Sequence, residues 1–562
     1  MSKTNYTYQG TLTAQASDWA FVGRDEWSED TEGVIHNPTW RFYTGGAVEV
    51  YFPHETDDRQ REDYVFLRPA GLSSLELSVE VMLFCQTTYG QIVFRAQDSR
   101  RFYALVIRDV YEKDIYEVSL WVQNEHGYRR RIGQALAGCT HLRTPASQRP
   151  KWDQISLTAE GPRLMIRLNG QIVIEVNDPT YAAGVVGLGA LGRIAFRDLR
   201  VAGSRADPDS PWTSVPGQAP PYVYAYKSDR KNLTRPTRPR MSCPSGVVLD
   251  DGEILLLRTI GYETKDDAPG TVFARSVDNG VSWEDEWRIA GPRLYWPFQL
   301  SDGRLSALTS VFCDEAGRAV REIDYKAVDE GKIKIRHEVS LVFSQDRGRT
   351  WGAAEPMKVA GRPLSEYGSF WIYSGFRRLS DGAILWTPYG GKSEHTVAEQ
   401  RTNQTFCLRS EDDGRSWSEP LPVETSHLDT NEGAAAELAN GDVLIFMRSV
   451  RSAYMWKARS EDKGRSWLPL EKTTITLDCP QFLRHSSGLL VLQSRMGMVL
   501  VSADDGQSWG SVWNIGHCVH MGCLLETADG ALLVAHLDAG FADITKVRAM
   551  RMRVSSEGLL PG

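Results

Sequence analysis

Nowhere does the chain approach the run of about 20 apolar residues that a membrane helix needs, and its opening, MSKTNYTYQG, lacks the apolar stretch of a secretory signal. The expectation is a cytoplasmic protein without a membrane partner. A basic surplus is also missing. Against 72 Asp and Glu stand 64 Lys and Arg, leaving a net charge of −8, which favours solubility and offers no broad surface for nucleic acid. Eight cysteines are scattered with no C-x-x-C pair and no zinc-like grouping, so they read as buried free thiols. The one local cluster, GHCVHMGC with His517, Cys518, His520 and Cys523, would lie along a strand that sends alternate residues to opposite faces, and no carboxylate accompanies it. A glycine-rich phosphate loop and a nucleotide fingerprint are absent as well, so neither a metal nor a cofactor is expected.

What the chain does contain is repetition. An octet recurs five times: SVDNGVSW from Ser276, SQDRGRTW from Ser344, SEDDGRSW from Ser410, SEDKGRSW from Ser460 and SADDGQSW from Ser502. Its Asp suits a tight turn because the carboxylate accepts hydrogen bonds from nearby amides, and its Gly takes a positive φ that a Cβ would penalise. The Trp is flat and apolar enough to lie over the turn. Six further segments share an apolar stretch, a polar turn with Gly and a second apolar stretch: GVVLDDGEILLLR, PFQLSDGRLSALT, GFRRLSDGAILWTP, AAAELANGDVLIFMR, FLRHSSGLLVLQSR and CLLETADGALLVAHL. Each reads as a hairpin. A hairpin followed by a second one bearing the octet makes a four-stranded blade, which predicts six blades over residues 222–562, the last without an octet. YVYAYK, Tyr222 to Lys227, is the candidate strand lent to the last blade to close the ring.

Residues 1–204 carry no octet. SLELSVEVML, GQIVFRAQ, FYALVIRDV and YEVSLWVQ alternate apolar and polar positions as half-buried strands do, and Asn169-Gly170 in LMIRLNGQIVIEVND is a favoured hairpin turn. This part resembles the concanavalin-like jelly roll of laminin-G-type and glycan-associated domains. That resemblance implies either carbohydrate binding or bracing of a catalytic neighbour. Residues 205–221, with five prolines and no periodicity, read as a linker. The fold class expected is therefore all-β, a β-sandwich followed by a six-bladed β-propeller.

The octets resemble the Asp boxes of the sialidase superfamily, whose six-bladed architecture matches residues 222–557. In that family the boxes sit on the outer rim, so they speak for the fold and not for chemistry. Aligning the hairpins on Gly252, Gly303, Gly382, Gly441, Gly488 and Gly530 places Cys243, Leu294, Tyr373, Glu432, Cys479 and Met521 nine residues before the turn, and Thr259, Ser310, Tyr389, Arg448, Arg495 and Leu537 seven after it. Glu432 and Arg448 frame one hairpin and Arg495 ends the next. The resemblance implies that the Glu supports a nucleophile and that the arginines clamp a substrate carboxylate, a task suited to a permanently charged two-pronged guanidinium. The bland alternative is a rim carboxylate paired to its neighbouring Arg.

Two positions depart from the family pattern. Its first blade opens on an Arg, where SCPSGVVLDDG has Ser242; Arg240 either replaces it or belongs to a solvated basic loop, TRPTRPR. Its nucleophilic Tyr aligns with Met521, beside His520. The second group of a glycoside cleavage then falls to Glu432, His520, Tyr373 or Tyr389, and the acid to Asp266 or Asp267 in GYETKDDAPG, a stretch that also reads as a solvated turn. Trp371 belongs to an aromatic approach, EYGSFWIYSGF, fit to stack on sugar faces or to pack a blade, and Tyr389 opens a loop, YGGKSEHTVAEQR, long enough to reach over the cavity. The resulting expectation is a hydrolase acting on a terminal acidic sugar. A polysaccharide lyase using His520 or a Tyr as base, and a glycan-binding propeller without chemistry, are the alternatives.

Overall fold

The computed structural model describes residues 5–9, 19–22, 28–29, 35–36, 40–42, 47–50, 63–67, 71–83, 89–98, 101–110, 115–125, 129–138, 152–191, 194–207, 222–224, 244–260, 270–284, 287–291, 293–314, 318, 336–392, 403–424, 428–476, 479–494, 498–514, 522–537, 547–555 and 558–561. These are overwhelmingly strands, and the molecule is all-β. Among the described residues no helix is long and apolar enough to cross a membrane.

The described residues among the first 207 form two antiparallel sheets packed face to face. One is built around Gly71–Leu83, Asp153–Glu160 and Ile194–Asp207, the other around Tyr89–Ala96, Phe102–Val110 and Ile115–Gln123. Their inward residues, among them Leu77, Leu157 and Ile166 from one sheet and Phe94, Leu105 and Leu120 from the other, share one core. Asn169 (φ +49°) and Gly170 (φ +82°) make the turn between Arg163–Leu168 and Gln171–Asn177, as the Asn-Gly pair requires for a type I′ hairpin. Ile194–Asp207 runs three residues into the stretch read as a linker.

The alternating strands of the second sheet are not half-buried. Ile115–Gln123 is covered along nearly its whole length, because the outward residues Phe102, Ala104, Val106 and Trp121 belong to one continuous core with Met455, Ile475 and Leu500 of the later sheets. Within that contact Arg108 pairs with Glu117 and donates to the Thr476 carbonyl oxygen at 2.9 Å, all three residues being buried.

Each predicted hairpin forms, and its turn glycine lies at a φ between +76° and +89°. Successive repeats make separate antiparallel sheets, for example Ser245–Val248, Ile254–Ile260, Gly270–Ser276 and Trp287–Ala290, or Thr430–Glu437, Val443–Ser449, Trp456–Ser460 and Glu471–Lys472. The first strand of one repeat lies beside that of the next: Thr430–Glu437 beside Gln481–Arg484, which lies beside Cys523–Glu526, which in turn meets Ser245–Val248. Tyr222–Tyr224 pairs with Val547–Ser555 of the last repeat, as the strand-lending reading requires.

The octets form the expected corners. In SEDDGRSW the Asp412 carboxylate accepts from the Ser416 amide (2.8 Å), the Ser416 hydroxyl (2.6 Å) and the Ser410 hydroxyl (2.9 Å), and the Gly414 amide donates to Ser410 Oγ (2.8 Å). The residue before each Gly also adopts a positive φ, from +54° to +60°, a feature the repeat pattern did not announce. Burial acts to raise the Asp412 carboxyl, but the Ser416 and Ser410 hydrogen bonds outweigh it and hold the group below its ordinary value; Asp278, Asp346, Asp462 and Asp504 behave alike. A depressed folded value stabilises the fold above the unfolded carboxyl pKa, about 4, and that contribution is lost as pH falls through the folded values. Asp412→Ala removes three hydrogen bonds to a charged group and is expected to cost about 1–2 kcal/mol at neutral pH. Thermal unfolding from pH 7 to pH 3 checks this: the difference between variant and wild type should shrink below about pH 4.

Candidate functional site

Glu432 sits at a local break in its strand. Thr430–Glu437 pairs regularly with Val443–Ser449 except for a bulge between Asn431 and Ala434, and there Glu432 adopts φ +53°. A non-glycine residue in that conformation is strained, and bulges re-aim side chains. Gly433 permits the close approach, since a Cβ there would lie 2.7 Å from Thr405 Cγ2 and 3.0 Å from Ile445 Cδ1. The carbonyl oxygen displaced by the bulge is caught at 3.1 Å by the Thr387 hydroxyl, itself 2.9 Å from Ser374 Oγ. Buried neighbours on the preceding repeat thus hold the bulge in place.

Two donors hold the carboxylate. Arg448 Nη1 donates to Glu432 Oε1 at 3.2 Å, and the Cys479 amide donates to Oε2 at the same distance. Arg448 lies opposite Asn431 in the ladder, one residue from the bulge, which is why its guanidinium meets Glu432. Both side chains are about a tenth exposed, 12% for Glu432 and 11% for Arg448. Cys479 is buried and has φ +49°. It occupies the same place in its hairpin as Glu432 does, nine residues before the turn Gly, so two adjacent repeats are strained at equivalent positions and linked there by a hydrogen bond. That role of Cys479 was not singled out from the sequence, although the alignment placed it in the right column.

Tyr373 packs against Cys479 and with Tyr389, and its hydroxyl donates to the Pro480 carbonyl oxygen at 3.2 Å. The two tyrosine rings meet edge to face, centroids 6.4 Å apart, and Tyr389 stacks at 6.4 Å and 14° on Trp371. The structure therefore brings Glu432, Arg448, Tyr373, Tyr389 and Trp371 into one continuous run through Cys479. Arg240, Asp266, Asp267, Arg495 and His520 lie outside the described residues. Of the cysteines, Cys313, Cys407, Cys479 and Cys523 are buried and unpaired by disulfides. Among the described residues no group of three or more His, Cys, Asp or Glu side chains is placed to hold a metal.

Comparison with known proteins bears on both parts of the chain. Residues 297–523 match the BNR repeat-like domain, and residues 14–202 match the 3-keto-alpha-glucoside-1,2-lyase-like domain. A sialidase from Micromonospora viridifaciens is 25% identical over 310 residues, which is 48% of this chain and 45% of that protein, so the match spans less than half of that relative. Among solved structures, the Hadza microbial sialidase Hz136 is 12% identical over 88% of this chain and 96% of its own, with a TM-score of 0.46. The NanB sialidase from Streptococcus pneumoniae is 11% identical over 85% of this chain and 94% of its own, with a TM-score of 0.43. The repeat-domain match falls in the second part of the chain, and the chain is similar to a sialidase over 48% of its length.

Proposed function

We propose that the protein is a sialidase-like glycoside hydrolase that releases a terminal acidic sugar from a glycan, working at the axis of a six-bladed ring whose octets are Asp-box turns. The observation that carries this reading is the Glu432 carboxylate, set on a strained bulge and held between the Arg448 guanidinium and the Cys479 amide. A carboxylate fixed in this way at a sheltered site is suited to receive a proton or to orient the attacking group. The sialidase relative supports the same reaction class.

In this reading Arg448 and Arg495, with Arg240, clamp the sugar carboxylate, and Asp266 or Asp267 protonates the leaving oxygen. Glu432 is the central base or orienting carboxylate; His520 or Tyr373 stands as the partner where the family has its Tyr. Arg448 faces two carboxylates in turn, that of Glu432 in the ligand-free protein and that of the sugar in the complex. The lyase-like match falls on residues 14–202, away from Glu432, and adds nothing to a lyase reading of this site. For the sandwich we propose a bracing role, supported by the burial of its second sheet against the propeller.

The test is selectivity. Arg448→Ala should lower kcat/KM on an acidic glycan by about 100-fold, the scale of a lost bidentate or charge-assisted contact. Turnover of the same glycan carrying a carboxyl-reduced, neutral terminal sugar should fall at least tenfold less, the remaining loss reflecting the donor that Glu432 forfeits. Equal loss on both would remove the clamp from the account.

A further inference from the structure

Beyond the strip that joins Glu432 to Trp371, the aromatic surface continues to residues that the sequence reading did not single out. Phe312 lies in Leu305–Cys313 opposite His337 of Arg336–Ser344, and the two rings stack with centroids 4.5 Å apart. Trp371 meets both, at 5.4 Å from Phe312 and 4.9 Å from His337. It lies directly opposite Tyr389 in the pair Gly368–Trp371 with Tyr389–Lys392. Those two strands approach so closely that a Cβ on Gly390 would lie 2.0 Å from the Ser369 carbonyl oxygen. With three ring neighbours Trp371 still keeps 36% of its surface in solvent.

The shelf carries no charge of its own near neutrality. Burial pushes the His337 imidazole down to about 4 against the hydrogen bond that Nδ1 makes to the Phe370 carbonyl oxygen, at 2.6 Å, so the ring is neutral above that pH. An exposed indole on a rigid, uncharged backing fits the C–H face of a neutral pyranose, and does not suit the anionic sugar assigned to Glu432 and Arg448. The order of contacts is Glu432, Cys479, Tyr373, Tyr389, Trp371, with Cys479 and Tyr373 buried, so the shelf is set apart from the Glu432 carboxylate by two tyrosine rings.

We infer that Trp371, backed by Phe312, His337 and Tyr389, is a second sugar-binding subsite that stacks an uncharged pyranose of an oligosaccharide, on the leaving-group side of the sugar held at Glu432. This rests on the reading of Glu432 and Arg448 as the cleavage site. It makes the substrate an oligosaccharide of at least two units, acidic at the end and neutral behind it.

Two measurements on the full-length chain test it. In the first, binding of lactose, cellobiose and maltotriose to wild type, Glu432→Gln, Trp371→Ala and Trp371→Phe is followed by saturation-transfer NMR and calorimetry. At least one of these neutral sugars should bind wild type and Glu432→Gln alike, with millimolar affinity, about tenfold more weakly to Trp371→Ala and within threefold of wild type to Trp371→Phe. No binding by any of the three up to 50 mM, or equal binding by Trp371→Ala, overturns the subsite. In the second, Trp371→Ala should lower kcat/KM about tenfold for an acidic sugar on an oligosaccharide and less than twofold for the same sugar on a methyl glycoside. Equal loss on both also overturns it. Failure of the cleavage reading is distinguishable, because neutral sugars would then still bind at Trp371 while no acidic glycan is cleaved by any variant.

Discussion

Glu432→Gln is expected to lower kcat/KM on the best acidic glycan by about 1000-fold while leaving the fold intact. Gln keeps the volume and can still accept from the Cys479 amide, so the contact at 3.2 Å has a counterpart in the variant. What it loses is the negative charge opposite Arg448 and the capacity to take a proton. A residue that served only to neutralise Arg448 would behave differently. Its replacement would change stability by up to a few kcal/mol, as when one member of a buried pair is removed, and turnover by less than tenfold. Measuring the unfolding midpoint and kcat/KM on the same preparation separates the two, and a fall in activity that tracks a fall in folded fraction would count against a chemical role.

The second large effect concerns stability. Arg108→Ala should destabilise the protein by about 3–5 kcal/mol, because it leaves the Glu117 carboxylate buried without its main partner. Arg131 remains 3.9 Å from Glu117, too far for a hydrogen bond. The contact with the Thr476 carbonyl oxygen is lost as well, and with it a polar tie between the sandwich and the propeller. A drop of roughly 10 °C in the first calorimetric transition is the expected reading. The double variant Arg108→Met with Glu117→Leu should recover more than half of that loss, since apolar residues of similar volume can replace a buried pair. If the single variant unfolds within 2 °C of wild type, the interface carries no such weight.

Much of the repeat architecture was legible because tight turns restrict residue choice. Gly441 and its equivalents must adopt a positive φ, and an Asp that accepts three hydrogen bonds leaves the same trace in every octet. The strand lent by Tyr222–Tyr224 was legible for a topological reason, since an unpaired last blade would expose an edge. The packing of sandwich on propeller was not. Arg108 and Glu117 alternate with apolar residues as they would on a solvated face, and nothing local tells a polar residue facing water from one facing Thr476 across an interface.

The candidate site was legible in part. Repeat alignment put Glu432 and Arg448 at the two ends of one hairpin, and the structure brings them into contact. It also put Cys479 in the column of Glu432, but a thiol carries no hint that its backbone amide will be the donor to Glu432. The bulge at Asn431 and Gly433 is a property of backbone geometry that Asn-Glu-Gly permits without specifying. Phe312 and His337 sit on separate strands whose register decides their meeting, so no local pattern could join them to Trp371.

The central claim, hydrolysis at Glu432, is tested most directly by incubating wild type and Glu432→Gln in heavy-oxygen water with sialylated, uronic-acid and neutral oligosaccharides, and weighing the products by mass spectrometry. The account predicts a released acidic sugar that has gained one heavy oxygen with wild type and no product with Glu432→Gln. A product lighter by one water and free of label would show elimination instead. Labelled product at equal rates from both proteins would place the chemistry elsewhere in the molecule.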